Sequence, residues 1–347
     1  MNILLVCNYK PGVGGISGQV EILRRKLRSD GHTADIFSTK ASILRRLLLP
    51  LKLLRVARGY DVLHIHCCSG WGFLPAVIGV SVGRWLKKRI VLTYHGGGGE
   101  RFFDRHHRLV SYYLTSTDAN IVLSGFLAKI FDKHHIPHTI IPNIIELDDK
   151  HYRLRETLKP NFICTRAHEP LYNIPCILRA FQKVLTELPQ STLTIVGGGS
   201  QHEALIQMAK DMELQNVTFT PKVDNQEIYH YLDLADIFLS APTIDNMPVS
   251  VLEAMNAGLL VISSQVGGVP YMIDDGETGL LFESDNHEEL AQKMLWAVRD
   301  KTMTKTMTMT KTMTKTKAIT VAAHKAVQQY RWENIKNKLY QAYGICS

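Results

Sequence analysis

Short apolar runs alternate with helix-period stretches along almost the whole chain. NILLVC at residues 2–7, RIVLTY at 89–94 and LLVISS at 259–264 carry no regular polar alternation. A strand with one wet face would alternate; strands buried on both faces do not, and a parallel sheet covered by helices on each side buries them so. Comparable runs lie at 33–37, 61–66, 119–123 and 139–142, with helical patterns at 14–30, 43–58 and 73–86. The series then restarts. Strand patterns at 161–165, 192–197, 216–220, 235–240, 259–264 and 280–283 are separated by helical ones at 174–188, 202–212, 226–233 and 248–257. The fold class predicted is α/β, with two Rossmann-like domains and ligand at the C-terminal ends of their strands. A length of 347 residues suits about two domains. Residues 1–145 form the first, the polar stretch 146–159 the linker and 160–317 the second. Within the latter, 303–317 (MTKTMTMTKTMTKTK) has no apolar period and reads as an exposed, poorly ordered insert or a frayed helix. Residues 318–347 resume an amphipathic helix, with Trp332, Ile335, Leu339 and Tyr343 on one face.

A hydrophobic content of 45% against 21% charged residues is enough to build two cores. The net charge of +8 favours nucleotides, anionic lipid or phosphorylated acceptors as partners. No aromatic-basic module accompanies that charge, so nucleic acid is not expected as a partner. The six cysteines include no CxxC pair, which fits a reduced, cytoplasmic protein better than a disulfide framework or a zinc site. The N-terminus enters a strand at once, without a signal-peptide pattern, and no apolar run is long enough to span a bilayer. Residues 43–58 (ILRRLLLPLKLLRVAR) mix leucines with Arg45, Arg46, Lys52, Arg55 and Arg58, interrupted by Pro50. They read either as a domain helix or as a basic surface that rests peripherally on an anionic membrane at its inner face.

The densest chemistry lies in residues 240–268, SAPTIDNMPVSVLEAMNAGLLVISSQVGG. The pattern is strand, loop, helix, strand, loop. Asp245 and Asn246 can cap the helix, Pro248 suits its first turn, and Gly258 its end. Asp245 stands at a strand's C-terminal end, and Glu253 lies in the helix among apolar residues. Carboxylates accept sugar diols, and a helix N-terminus offers N–H groups to phosphate. Against this, Asp245 can be only a cap and Glu253 only a solvated residue. Other groups sit at strand ends too. Gly12, Gly14, Gly15 and Gly18 follow the first strand, but Ser17 takes the third glycine place of G-x-G-x-x-G and no acid ends the second strand, which argues against a dehydrogenase. His95 precedes a run of glycines; it is either a loop histidine or a ligand to hydroxyl or phosphate. Arg166 follows the strand at 161–165, where it forms an ordinary ion pair or clamps a diphosphate. Gly197, Gly198 and Gly199 again join strand to helix. His64 and His66 alternate with apolar residues and read as packing groups, and no metal set is visible.

Taken together, GGISG near the start, TYHG at 93–96, IPN at 141–143, IVGGG at 195–199 and DNMPVSVLEAMNAG leading to VGG resemble glycosyltransferase family 4, the retaining enzymes of the GT-B fold. The resemblance spans nearly the whole chain. It implies two Rossmann-like domains facing across a cleft, acceptor on the first, nucleotide-sugar on the second, and a last helix that crosses back to the first. By position, Glu253 would hold the donor ribose, Asp245 the transferred sugar and Arg166 the diphosphate. Backbone N–H groups around residues 247–250 would assist, Gly14, Gly15, Gly198, Asn246, Met247, Pro248 and Val249 would line the donor site, and His95 would face the sugar. Catalysis would fall to His95, Arg166 and Asp245, with no cofactor and no metal. Two departures stand out: the family usually has Glu where this chain has Asp245, and Gly-Phe-Gly where it has Asn246-Met247-Pro248. The family's phosphate-binding lysine beyond the arginine is also missing from AHEPLYN.

The function implied is transfer of a sugar, with retention, from a nucleoside diphosphate to a hydroxyl of a glycan or lipid-linked acceptor, in cell-surface polysaccharide synthesis. The alternatives are a GT-B nucleotide-sugar epimerase and a non-catalytic nucleotide-sugar or glycan binder.

Overall fold

The computed structural model describes residues 1–11, 15–42, 46–147, 149–221, 223, 227–301, 303–304 and 313–345. It divides into two compact units: residues 1–146 with 330–347, and residues 147–329.

The first unit runs β1 (Asn2–Cys7), α1 (Ile16–Ser29), β2 (Thr33–Ser38), α2 (Leu49–Ala57), β3 (Val62–Cys67), α3 (Leu74–Trp85), β4 (Arg89–Tyr94), α4 (Gly99–Arg105), α5 (His107–Leu114), β5 (Ala119–Val122), α6 (Gly125–Lys133) and β6 (Thr139–Ile140). Its strands pair in parallel in the order β2-β1-β3-β4-β5-β6. The predicted absence of alternation has its cause here. Leu4, Val6, Leu63, Ile65, Ile90 and Leu92 pack under α2 and α3, while Ile3, Leu5, Val62, Val91 and Ile121 pack on the other face with Val20, Leu23 and Leu27 of α1. Pro50 does not interrupt a helix; it stands in the first turn of α2, where its missing N–H costs nothing.

The second unit runs β7 (Asn161–Cys164), α7 (Ile174–Glu187), β8 (Thr192–Val196), α8 (His202–Asp211), β9 (Val217–Thr220), α9 (Ile228–Leu234), β10 (Ile237–Ser240), α10 (Val249–Asn256), β11 (Leu260–Ser264), β12 (Leu280–Phe282), α11 (His287–Arg299), β13 (Met303–Thr304), β14 (Met313–Thr314) and α12 (Lys315–Val327). The main sheet is parallel in the order β12-β11-β10-β7-β8-β9, so the direction of winding reverses between β7 and β10. In open α/β sheets that reversal opens a crevice at the strands' C-terminal ends.

Three boundaries differ from the sequence expectation. The stretch 146–159 is not a bare linker from end to end. Arg155 is buried, and its guanidinium donates to Asp236 Oδ1 (3.0 Å) and to the carbonyls of Leu232, Ala235, Arg153 and Ala257. The run 303–317 is not wholly an insert: β13 and β14 pair antiparallel, and Lys315–Lys317 form the first turn of α12, capped by the Thr314 hydroxyl. Residues 305–312 lie outside the described residues. The amphipathic stretch from 318 is also split. α12 stays with the second unit, packed on α10, where His324 Nδ1 donates to the Asn256 carbonyl (2.9 Å). Only α13 (Trp332–Tyr343) belongs to the first unit, laying Trp332, Ile335, Leu339 and Tyr343 against the sheet face shared with α1.

Candidate active site

In the second unit the winding reversal brings Arg166, just past β7, against the loop that follows β10. Arg166 is 8% exposed. Its Nη2 forms a short ion pair with Asp245 Oδ2, its Nη1 donates to Ser250 Oγ (2.8 Å), and Tyr172 lies under the guanidinium with its ring centre 4.1 Å from Cζ. Its Nε is buried without a hydrogen-bond partner. An arginine that keeps one donor unspent among buried atoms is poised for an acceptor that comes and goes, because leaving such a donor unpaired permanently costs about 1–3 kcal/mol.

Of the two readings of Asp245, helix cap or ligand to a sugar, the first does not hold, because Asp245 does not cap the helix. Helix α10 starts at Val249, and no side chain caps it. Asp245 instead turns its own loop: Oδ1 accepts the Asn246 N–H (2.8 Å), Oδ2 takes Arg166, and its backbone carbonyl accepts the Gly268 N–H (2.9 Å). The VGG turn must therefore come close. At Gly267 the backbone has φ +52°, and a Cβ would stand 1.9 Å from the Asp245 carbonyl oxygen, so only glycine fits. Asn246, Met247 and Pro248 are buried. Glu253 lies one turn into α10. Burial pushes its carboxyl up to about 7, against the pull of the Arg166 charge.

The glycine turn after β8 closes another side. At Gly197 (φ +151°) a Cβ would meet the Arg166 carbonyl at 2.3 Å, so β7 and β8 end flush against one another. Gly198 accepts the His168 N–H through its carbonyl (3.0 Å), and no atom lies within 4 Å of where its Cβ would be. His168, fully buried, shares a proton with His202 (Nδ1 to Nδ1, 2.8 Å), and burial moves it down to about 4. Sequence reasoning missed Tyr172, His168 and His202, and named Ser250 only for its backbone N–H, not for the hydroxyl that meets Arg166. Tyr172 and His168 were in view within AHEPLYN, but only the fold shows that a ring, not a lysine, accompanies the arginine.

The other expected residues belong to the first unit. Gly15 precedes α1, and Gly14 lies outside the described residues. His95 follows β4, half-buried, and its Nε2 lies 3.0 Å from Nδ1 of His66. His64, one strand repeat before His66, bridges the Tyr343 hydroxyl (2.7 Å) and the Thr93 hydroxyl (2.8 Å). Burial depresses all three imidazoles: His64 to about 3, His95 to about 4, and His66 well below the ordinary range. They are neutral at pH 7. Among the described residues no three His, Cys, Asp or Glu groups are placed to hold a metal ion.

The model for "Glycosyl transferases group 1" matches residues 149–315, and that for "Glycosyltransferase Family 4" matches residues 13–149. N-acetyl-alpha-D-glucosaminyl L-malate synthase of Bacillus anthracis is 25% identical over 279 residues, covering 74% of this chain and 71% of that protein. Alpha-monoglucosyldiacylglycerol synthase of Streptococcus pneumoniae is 26% identical, covering 85% and 77%. Among solved structures, Anabaena HepE in complex with UDP-glucose superposes with a TM-score of 0.78 at 17% identity over the whole of both chains. The fold is therefore GT-B, with a six-stranded parallel sheet in each unit. With the two family models running in tandem over most of its length, this chain belongs to the family 4 glycosyltransferases and is a glycosyltransferase enzyme.

Proposed function

We propose that the enzyme transfers a sugar from a nucleoside diphosphate to a hydroxyl of a glycan or lipid-linked acceptor, with retention at the anomeric carbon. The observation that carries the reading is the Arg166–Asp245–Ser250 cluster at the β7/β10 reversal, with Glu253 one turn behind it. A departing diphosphate needs positive charge and N–H donors where its own charge develops. Arg166 supplies the charge, with Nε unspent, and the start of α10 supplies backbone N–H groups. Tyr172 and Ser250 fix the plane of the guanidinium, in place of the second cation that the family carries. Asp245 takes a hydroxyl of the transferred sugar, and Glu253 the ribose diol. In the reaction the bond from the anomeric carbon to the β-phosphate oxygen breaks. The acceptor oxygen bonds to the same face, and its proton passes to the departing phosphate oxygen. We assign a hydroxyl of the sugar to His95 and the acceptor to the first unit. No metal or cofactor is needed in this scheme. HepE's complex with UDP-glucose supports a nucleotide-sugar donor, and the diacylglycerol-linked product named for the pneumococcal relative supports a lipid-linked acceptor.

The surface around α2 favours a membrane-side location. Leu47, Leu48 and Leu51 are exposed (78%, 51% and 64%), together with Lys52, Arg55 and Arg58, and Arg46 lies over the ring of the equally exposed Trp71. Leu49, Leu53 and Ala57 already serve the core, so the outward leucines have no packing role within the unit. We place the enzyme peripherally on an anionic cytoplasmic leaflet, in cell-surface glycan assembly. Among the described residues no helix is long and apolar enough to cross a membrane.

The test is a panel of nucleotide-sugars assayed with and without lipid and glycan acceptors, in EDTA. Transfer dependent on acceptor, with the anomeric configuration kept, is the expected result. Conversion of the donor alone would mean an epimerase, and binding without turnover a non-catalytic binder; either overturns the proposal.

A further inference from the structure

The face of the first sheet that carries α1 and α13 holds a strip of polar groups towards the C-terminal ends of its central strands: His64 and His66 on β3, Thr93 on β4, and His95 beyond it. Residues two apart on a strand share a face, and the register pairs His66 with Thr93, so the strip points one way. Its members are joined in a definite order. His64 uses both ring nitrogens, on Tyr343 and Thr93. Among the described residues His66 uses only Nδ1, on His95 Nε2, and its Nε2 is buried without a partner. The ring of His66 lies 4.2 Å from that of His64, centre to centre, and 5.2 Å from that of His95.

One hydrogen lies between His66 and His95, and its placement has two solutions. If His95 donates from Nε2, His66 must accept at Nδ1 and carry its own proton on Nε2, where nothing receives it. If His66 donates from Nδ1, the unpartnered Nε2 is a bare lone pair. A buried N–H without an acceptor is the rarer and costlier defect, whereas an under-used acceptor is tolerated more often. The second solution follows, and it decides the state of the neighbour. His95, accepting at Nε2 and neutral, must carry its proton on Nδ1.

We infer that His66 is a positioning residue that locks His95 as the Nδ1–H tautomer, so that His95 presents an N–H donor to a ligand oxygen at the end of β4. This rests on the proposed transferase reading only for what the ligand is, namely a hydroxyl of the transferred sugar. The lock itself does not depend on it. Its chemistry is that of an orienting group behind a working imidazole, with a histidine in the place an acid or carbonyl usually takes. A small cavity of about 40 Å³ lies against this strip, with His64, His66, His95, Thr93, Gln19 and Asn143 among its lining residues.

The experiment is ring-nitrogen NMR of the full chain, with histidine labelled with nitrogen-15, at pH 7. His95 is assigned by the loss of its signals in His95→Gln. Wild-type protein should show His95 protonated at Nδ1 and unprotonated at Nε2. His66→Asn, whose amide can donate from nearly the place of Nδ1, should keep that tautomer, and His66→Leu should lose it. Finding His95 protonated at Nε2 in the wild type would overturn the inference, as would an unchanged tautomer in folded His66→Leu. The wild-type spectrum decides the point even if a variant fails to fold. Kinetics then separate this inference from the transferase reading. A single lost hydrogen bond predicts a roughly tenfold fall in kcat for His66→Leu with little change in KM for the donor, and recovery in His66→Asn. The expected tautomers with unchanged kcat would uphold the lock and refute His95 as a sugar contact.

Discussion

Replacing Glu253 by glutamine should stabilise the unliganded enzyme, by an amount that grows as pH rises from about 4.5 to about 7. Burial raises the carboxyl from 4.5 to about 7. The folded state therefore holds the proton more tightly than the unfolded chain, so the group's favourable contribution is complete below about pH 4.5. It is lost as pH rises towards 7, because ionisation becomes free in the unfolded chain while it remains opposed in the folded one. At 1.36 kcal/mol per pH unit, the linkage costs the wild type about 1 kcal/mol at pH 5 and about 3 kcal/mol at pH 8. Glutamine keeps the shape and removes the titration. Urea unfolding of both proteins followed by circular dichroism should show their stability difference shifting in favour of Glu253→Gln by about 2 kcal/mol between pH 5 and pH 8. The same variant should bind nucleotide-sugar more weakly, since a neutral amide replaces the carboxylate that accepts the ribose hydroxyls. A difference in stability that is flat with pH would refute a desolvated carboxylate at this position. Unchanged nucleotide affinity would refute its role as the ribose ligand.

Arg166→Ala should lower kcat by about 10²–10³-fold, and Arg166→Lys by less, because lysine keeps the charge but loses the fork that spans Asp245 and Ser250; equal, wild-type-like turnover of both variants would end the proposed role. Asp236→Ala should destabilise the second unit by about 3–5 kcal/mol, since it strips Arg155 of its only carboxylate contact among the described residues and leaves a buried charge behind; a denaturant midpoint close to that of the wild type would contradict this. Anionic liposomes should co-sediment the protein and release it as salt rises. Changing Arg46, Lys52, Arg55 and Arg58 together to alanine should weaken binding by roughly 1 kcal/mol per cation, and undiminished binding by that folded variant would move the membrane contact elsewhere.

The strands were legible because burial on both faces leaves a plain mark, an unbroken apolar run. β1 and β4 start and stop where the pattern does. The helices at 99–114, 125–133 and 287–299 were not read, although one of them carries a usable signal: Asn286 caps α11 by accepting the Glu289 N–H at 3.0 Å, and Glu289 in turn accepts the Glu283 N–H. Site residues were legible singly, as polar groups at strand ends next to glycines. Their relations were not. Arg166 and Asp245 stand 79 positions apart, and they meet because β10 pairs with β7, a crossover that no local spacing encodes. Asp245 looked like a cap for the same reason: from the sequence its nearest N–H groups are those of the next helix, and the guanidinium that competes for it is invisible.

The discontinuity of the first unit has a bearing on how the protein is made. Residues 1–146 hold all six strands of its sheet, but the helix that covers half of one face, α13, is encoded only after residue 330. On a ribosome adding about 5–20 residues per second, the intervening 147–329 occupy roughly 10–40 s. Throughout that interval the nascent sheet lacks Trp332, Ile335, Leu339 and Tyr343, and His64 lacks the hydroxyl on its Nδ1. The second unit is contiguous and can close as soon as its last helix emerges, whereas the first to be translated must wait for α13. An apolar sheet face left open for many seconds is a binding site for a chaperone, so the order of synthesis and the order of completion run opposite ways in this enzyme.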